Sequence, residues 1–173
     1  MFHRLLAGLA LCASAGLAHA HHVPGHEDGP GSGHAHHGAG APVAGQAIEG
    51  VAVTECWVRA MPQNLPSAAY FTLRNETGSA LRLTGIASAA FGQTMLHRTV
   101  TQDGTARMQH TDAVDIPAGG TFEFAPGGYH AMLEKPTAAL APGQTISVTF
   151  AFGGDGQLTA PCAVRSPAGK STH

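Results

Sequence analysis

The stretch from His97 to Met132 reads HRTVTQDGTARMQHTDAVDIPAGGTFEFAPGGYHAM. It carries the spacing His-x10-Met-x21-His-x-Met, in which the four residues are His97, Met108, His130 and Met132. Residues i and i+2 of a β-strand point to the same face, so a strand here places the His130 imidazole beside the Met132 thioether. This pair is unusual as core packing, because an imidazole needs hydrogen-bond partners and a thioether offers almost none.

The same four side chains form a good ligand set for a soft metal ion. Thioether sulfur suits Cu(I) and is a poor ligand for Zn²⁺, Ca²⁺ or Mg²⁺, whereas imidazole suits copper in either oxidation state. We therefore predict a Cu(I) site formed by His97, Met108, His130 and Met132. Taken singly, Met108 or Met132 is better interpreted as core filler and His97 as a hydrogen-bonded surface residue. Met95 and His110 lie near the pattern but outside it, and keep that plainer interpretation.

Around this stretch the chain alternates short β-like segments with turns rich in Gly, Pro, Asn and Asp. In AAYFTLRN (68–75), Ala69, Phe71 and Leu73 alternate with polar or aromatic neighbours, and Gln102-Asp103-Gly104 predicts a hairpin turn. In VAVTECWVRA (51–60), strict alternation places Val51, Val53 and Trp57 on one face and Cys56 and Val58 on the other. Eight to ten such segments without helical periodicity predict an all-β domain, an antiparallel β-sandwich or a small barrel, over residues 46–165. Residues 166–173 are expected to form a flexible tail.

The first twenty residues have the features of a secretory signal peptide. Arg4 precedes an apolar run, and Ala18-His19-Ala20 precedes the expected cut, so the mature chain would begin at His21 in the periplasm. A lipoprotein signal would need a small residue before Cys12, where Leu11 stands. Loss of Arg4 leaves eight basic against eleven acidic residues, a net charge of about −3 with His neutral. That balance predicts no nucleic-acid partner, and the apolar run is too short for membrane insertion.

Residues 21–45 combine Gly, Pro and Ala with many histidines and show no apolar periodicity. We expect a disordered linker that binds metal weakly at several positions, with Cu(II) best suited and Zn²⁺ or Ni²⁺ also able to bind. Glu27 or Asp28 and the amino terminus could assist. The alternative is a solvated linker with an accidental histidine bias. The histidines are His21, His22, His26, His34, His36 and His37.

Cleavage of the signal would also remove Cys12 and leave Cys56 and Cys162. An even number of cysteines in an oxidising compartment favours a structural disulfide between the first and last strand-like segments. A redox-active or copper-binding thiol pair is the alternative, and no Cys-x-x-Cys spacing supports it.

The sequence resembles the PCuAC family of periplasmic copper chaperones, whose hallmark is the spacing His-x10-Met-x21-His-x-Met. The resemblance covers roughly residues 51–164 and continues outside the hallmark. It includes Trp57-Val58-Arg59, Ala68 to Phe71, Ile116 to Gly120 and Pro126 to Met132. It implies a cupredoxin-like antiparallel β-sandwich with Greek-key connections, binding Cu(I) at an exposed end through His97, Met108, His130 and Met132. The His-rich linker and the cysteine pair are not part of that pattern.

The family resemblance further implies delivery of copper to respiratory oxidase assembly, notably the CuA centre. The expected partners are a copper-accepting oxidase subunit or a Sco-type assembly protein, and the chaperone itself is expected to be a monomer. The alternative is a periplasmic copper-sequestering or resistance protein that relies on the His-rich linker.

An enzyme is disfavoured by the donor set. A type-2 copper enzyme needs mostly histidine ligands and an open position, and a blue-copper protein needs a cysteine ligand near its histidine pair. Neither Cys56 nor Cys162 lies in such a segment, and no Ser/His/Asp or paired-carboxylate arrangement stands out. Because histidine must be neutral to ligate, Cu(I) affinity is expected to fall as the pH drops through ~6.5.

Overall fold

A computed structural model describes residues 46–167 of this chain. The predicted signal peptide (1–20), the predicted linker (21–45) with its six histidines, and most of the predicted tail lie outside the described residues. Within the described range, no helix combines the length and the apolar character that a membrane span requires.

The described chain is almost entirely β-strand, as the alternation predicted. Its only helical element is a single 3-10 turn at Gly153–Asp155. The strands are β1 (Gln46–Ala47), β2 (Val51–Arg59), β3 (Ser67–Asn75), β4 (Leu81–Ala87), β5 (Phe91–Gln102), β6 (Thr105–His110), β7 (Val114–Ile116), β8 (Thr121–Phe124), β9 (Tyr129–Pro136), β10 (Thr145–Phe152) and β11 (Gly156–Arg165).

The strands form one mixed sheet in the order β6-β5-β9-β3-β2-β11-β10-β4-β7, with β1 beside β11 and β8 beside β3. The all-β, cupredoxin-like prediction is confirmed, with one refinement. The pairings of β11 with β1 and with β2 are parallel, whereas the others are antiparallel. β2 and β11 lie at opposite ends of the domain sequence, so no tight hairpin forces them to run antiparallel.

The sheet curls so that strands far apart in its order share one core. Phe71 of β3 packs against Phe124 of β8 with ring centroids 4.2 Å apart, and against Phe150 of β10 at 4.8 Å. All three rings are almost fully buried. β2 and β11 separate β3 from β10 in the sheet, so this contact requires the two halves of the sheet to face each other. Apolar residues of both halves are thereby removed from water.

The strict alternation predicted for β2 is wrong, because the strand contains a β-bulge. The register with β3 shifts between Thr54 and Trp57, and Glu55 has a φ of 52°. The extra residue reverses the phase of alternation. As a result Val53 and Cys56 both pack against the core, although alternation assigned them to opposite faces. Trp57 packs instead against Tyr70, with ring centroids 4.5 Å apart.

Cys56 of β2 and Cys162 of β11 are joined in a disulfide, with their Cα atoms 4.5 Å apart. Cys162 is fully buried. The bond connects neighbouring strands that are separated by 106 residues in sequence, and it lies within the hydrophobic core.

Candidate metal centre

Strands β6, β5 and β9 bring the predicted ligands to one face of the sheet. β5 and β6 are joined by a two-residue hairpin in which Asp103 and Gly104 both have positive φ, as the predicted turn requires. β9 pairs with the other edge of β5. His97 therefore occupies the central strand of the three, and its side chain points away from the core residue Leu96.

The register places two histidines directly opposite each other. His97 is the cross-strand partner of His130, and their ring centroids lie 5.8 Å apart. Both residues are buried, with 9% of His97 and 5% of His130 exposed. The Nδ1 atom of His97 and the Nε2 atom of His130 are buried without a hydrogen-bond partner. Unpaired buried polar atoms are costly in an apo fold, and a metal ion would satisfy both.

The backbone selects which nitrogen of His130 is available. Its Nδ1 lies 3.2 Å from the carbonyl oxygen of Gly128 and donates a hydrogen bond to it. A neutral imidazole that donates from Nδ1 presents a bare lone pair at Nε2, the orphaned atom. The Gly128 carbonyl also accepts from the backbone N–H of Thr99, which fixes it against β5. The glycine pair at 127–128 thus lets backbone approach a predicted ligand.

The two predicted thioethers occupy different settings. Met132 follows His130 by two residues on β9 and is half-buried. Met108 lies on β6 opposite Thr99, and 63% of it is exposed. The structure therefore brings His97, His130 and Met132 together on neighbouring strands, with Met108 one strand further out.

The described residues contain no metal site built from His, Cys, Asp and Glu side chains alone. In residues 46–167, no three His, Cys, Asp or Glu side chains cluster closely enough to hold a metal ion. Both cysteines of this range are in the disulfide. Methionine sulfur on the same face is the further donor that the described residues offer beside His97 and His130, and it suits Cu(I) better than Zn²⁺.

Burial lowers the pKa of His97 below its ordinary value of 6.5, and the nearby His130 and His110 lower it further. All three effects oppose a positive charge on this ring. His97 is thereby kept in the neutral form that a metal ligand requires.

Two residues outside the predicted pattern also lie on this face. His110 is the cross-strand partner of His97 on the β6 side, with ring centroids 5.8 Å apart, and its Nε2 lies 3.2 Å from Asp112 Oδ1. Met95 is the cross-strand partner of Met132. Alternation along β5 already indicates that Met95 lies on the same face as His97. Only the pairing of β5 with β9 shows that Met95 also lies opposite Met132.

The fold and this group of side chains define an all-β domain of the cupredoxin-like type with a soft donor set on one sheet face. Residues 51–164 match the family described as "Putative lipoprotein LpqE-like". The chain belongs to this family.

Among similar sequences, "Putative lipoprotein Lxx21020" of Leifsonia xyli subsp. xyli is 39% identical over 127 residues, covering 73% of this chain and 75% of that protein. "Uncharacterized protein RP573" of Rickettsia prowazekii is 33% identical over 87 residues, covering 50% and 48%.

Solved structures share the fold. The copper-bound PCuAC domain from PmoF2 is 24% identical with a TM-score of 0.59, over 72% of this chain and all of that domain. The Cu(I) form of DR1885 from Deinococcus radiodurans is 29% identical with a TM-score of 0.56, over 69% and 80% of the two chains. Its apo form is 27% identical with a TM-score of 0.54, over 88% and 97%. The fold of this chain is that of PCuAC domains.

Proposed function

We propose that this protein is a Cu(I) metallochaperone that carries copper on the face formed by β6, β5 and β9. The ligands are His97, Met108, His130 and Met132, and copper is the cargo. The observation that carries the proposal is the pair of buried, unpartnered ring nitrogens of His97 and His130, with Met132 two residues along β9 from His130.

Similarity to a copper-binding protein supports the choice of metal. DR1885, whose fold and sequence resemble those of this chain, has been solved with Cu(I) bound. Two imidazoles and two thioethers are neutral donors, so bound copper keeps its single positive charge, and no carboxylate favours a harder ion.

The absence of thiolate donors fits a carrier outside the cytosol. Free thiols oxidise to disulfides there, and both cysteines of the described domain already form one. Methionine and histidine cannot be lost in that way. A signal-like segment at residues 1–20, and the naming of a relative and of the family as lipoproteins, agree with export. We propose that the protein acts in the periplasm.

Exposure of one ligand suits transfer to a partner. Met108 is 63% exposed on the hairpin strand β6, while His97 and His130 are buried. An incoming thiolate ligand can therefore replace the outermost sulfur first, without opening the core. We propose that the recipient is a copper-accepting oxidase subunit, of the CuA type, or a Sco-type assembly protein, and that the chaperone acts as a monomer and not as an enzyme.

The rival function is copper sequestration by the His-rich segment. Six histidines within residues 21–37 favour it, because imidazole-rich flexible segments capture Cu(II). In that case copper would be held by the segment, and the sheet site would contribute little.

X-ray absorption on the Cu(I)-loaded protein tests the site directly. With residues 21–45 deleted, we expect mixed nitrogen and sulfur scattering from one bound ion. A Met108→Ala/Met132→Ala variant should show a reduced sulfur contribution, and a Met61→Ala control should keep the full one. Nitrogen-only scattering in the parent protein would exclude the proposed site.

Transfer distinguishes carriage from storage. The Cu(I)-loaded protein is mixed with an apo CuA domain, and the copper content of each is measured after separation. A chaperone passes its copper to the domain whether or not residues 21–45 are present. Retention of copper against this acceptor would favour sequestration.

A further inference from the structure

Met95 lies beside the four proposed ligands, although the spacing His-x10-Met-x21-His-x-Met does not include it. It precedes His97 by two residues on β5 and is the cross-strand partner of Met132 on β9. The partner of His97 is His130. Met95, His97, His130 and Met132 therefore form two adjacent rows on two neighbouring strands. Directly opposite Cβ atoms in such rows are about 4.5–5.5 Å apart.

Met108 lies further than Met95 from the two histidines. It is the partner of Thr99, so it reaches His97 only as a diagonal neighbour, for which the separation is about 7–8 Å. His130 lies one strand further away, beyond β5. Met108 is also 63% exposed, whereas Met95 is half-buried. Met108 is thus the outermost of the three methionines on this face.

The side chain of Met95 is also oriented by a neighbour. The Gln93 side-chain N–H donates to Met95 Sδ at 3.8 Å, a distance typical of a weak sulfur acceptor. Gln93 is itself paired with Glu134 in the same ladder. Since a thioether has two lone pairs, the second remains free to bind a soft ion.

We propose that Met95 is a further Cu(I) ligand, whose thioether takes the coordination position that Met108 leaves when copper is handed on. The Cu–S bond to Met108 breaks and a Cu–S bond to Met95 forms. Copper stays Cu(I), and no proton or electron moves. The ion would keep two imidazoles and two sulfurs while its exposed side opens to the acceptor. The proposal rests on the proposed function of the same site.

Methyl NMR of the full chain, with methionine ¹³C-labelled at its methyl group, tests this without truncation. One equivalent of Cu(I) is added anaerobically to the wild type and to Met108→Ala. In Met108→Ala we expect the methyl signals of Met95 and Met132 to shift, while that of Met61, which lies beyond the end of β2, stays in place as the internal control.

Affinities provide the second readout. Cu(I) competition with a chromogenic chelator is measured for Met95→Leu, Met108→Ala and the double variant; leucine keeps the volume of methionine and so protects the fold. If Met95 replaces Met108, the double variant loses at least ~10-fold more affinity than the two single losses predict. A matched Met61→Leu/Met108→Ala variant should behave as Met108→Ala alone.

The outcomes separate this inference from the proposed function. If Cu(I) binds but the Met95 methyl signal stays in place in Met108→Ala, and the losses are additive, Met95 is not a ligand and the four-residue site stands. If Cu(I) moves no methionine methyl signal in the wild type, both proposals fail. A Met95 shift together with non-additive losses supports the inference.

Discussion

The central histidine of the site, His97, has a pKa below 6.5 because burial and the neighbouring His130 and His110 disfavour its charged form. A proton and Cu(I) compete for the same neutral nitrogen. A lowered pKa moves this competition to lower pH, so the affinity contributed by His97 is fully present above ~6.5 and is lost as the pH falls through its lowered pKa. We expect Cu(I) affinity to be steady near neutral pH and to decrease under acidic conditions.

Competition against a chelator of known pH dependence, from about pH 8 to about pH 5, measures this effect. His97→Gln should bind more weakly and should lose part of the acid-dependent decrease. An affinity that is equally strong throughout this range in the wild type would show that neither imidazole binds the metal.

Asn75 shows how a single polar side chain stabilises the fold away from the site. Only 1% of it is exposed, and its amide nitrogen donates to the carbonyl oxygens of Ser79, Ile116 and Pro117. Its Oδ1 accepts from both the backbone N–H and the hydroxyl of Thr77. Asn75→Ala removes these hydrogen bonds, so we expect the free energy of unfolding to fall by ~2–4 kcal/mol. Urea denaturation measures the loss.

Asn64 is the matched control for this change, because it is exposed in the turn after β2. Asn64→Ala should alter the free energy of unfolding by less than ~0.5 kcal/mol. Equal effects of the two substitutions would mean that the buried network of Asn75 contributes little.

At the scale of strands, alternation and turn chemistry predicted most of the fold. β2 and β3 match, to within one residue at each end, the segments 51–60 and 68–75 that the sequence indicated, and the hairpin at Asp103-Gly104 is confirmed. The bulge in β2 could not be predicted, because its extra residue, Glu55, has none of the chemistry that favours a positive φ. The parallel pairing of β2 with β11 was also hidden, since local sequence does not specify which distant strands become neighbours.

The same limit applies to the site. Spacing alone selected His97, Met108, His130 and Met132, and the structure brings three of them onto two adjacent strands. It took the register of β5 with β9 to reveal that Met95 is paired with Met132. Two residues that are two positions apart in a strand lie on the same face of the sheet. Their spacing does not show which residues of another strand lie opposite them.

The β5–β6 hairpin determines where Met108 lies. Gly104 has a φ of 73° in this two-residue turn, and nothing lies within 4 Å of the position of an added Cβ. The cost of Gly104→Val is therefore backbone strain alone, ~1–3 kcal/mol, and we expect the hairpin to loosen. Thermal unfolding should show the loss of stability, and Cu(I) affinity should fall because Met108 is less well positioned.

Gly78 offers a comparison at which an added side chain also meets nothing, but without the positive φ. Gly78→Val should leave Cu(I) affinity at the wild-type value. If Gly104→Val also binds Cu(I) as tightly as the wild type, then Met108 is not a ligand, does not depend on the turn, or is replaced by Met95.

Over the whole molecule, the disulfide and the proposed copper site are separated by an intervening strand. Cys56 and Cys162 join β2 to β11, whereas the proposed ligands lie on β6, β5 and β9, and β3 runs between the two groups. The disulfide faces the core, and the proposed ligand face is turned away from it. This separation favours a structural disulfide over a thiol pair that binds copper or exchanges electrons with it.

Removing the disulfide therefore should weaken the fold and spare the site. Closure of a 106-residue separation is worth ~4–5 kcal/mol in the chain-entropy model, so Cys56→Ala/Cys162→Ala should lower the Tm by ~10 °C or more. Below the unfolding transition, Cu(I) affinity should equal that of the wild type, because neither β2 nor β11 adjoins a strand that carries a proposed ligand. Wild-type protein reduced with a phosphine should behave as the variant does. A drop in Cu(I) affinity in the folded variant, with the Tm unchanged, would instead assign the cysteines to copper handling.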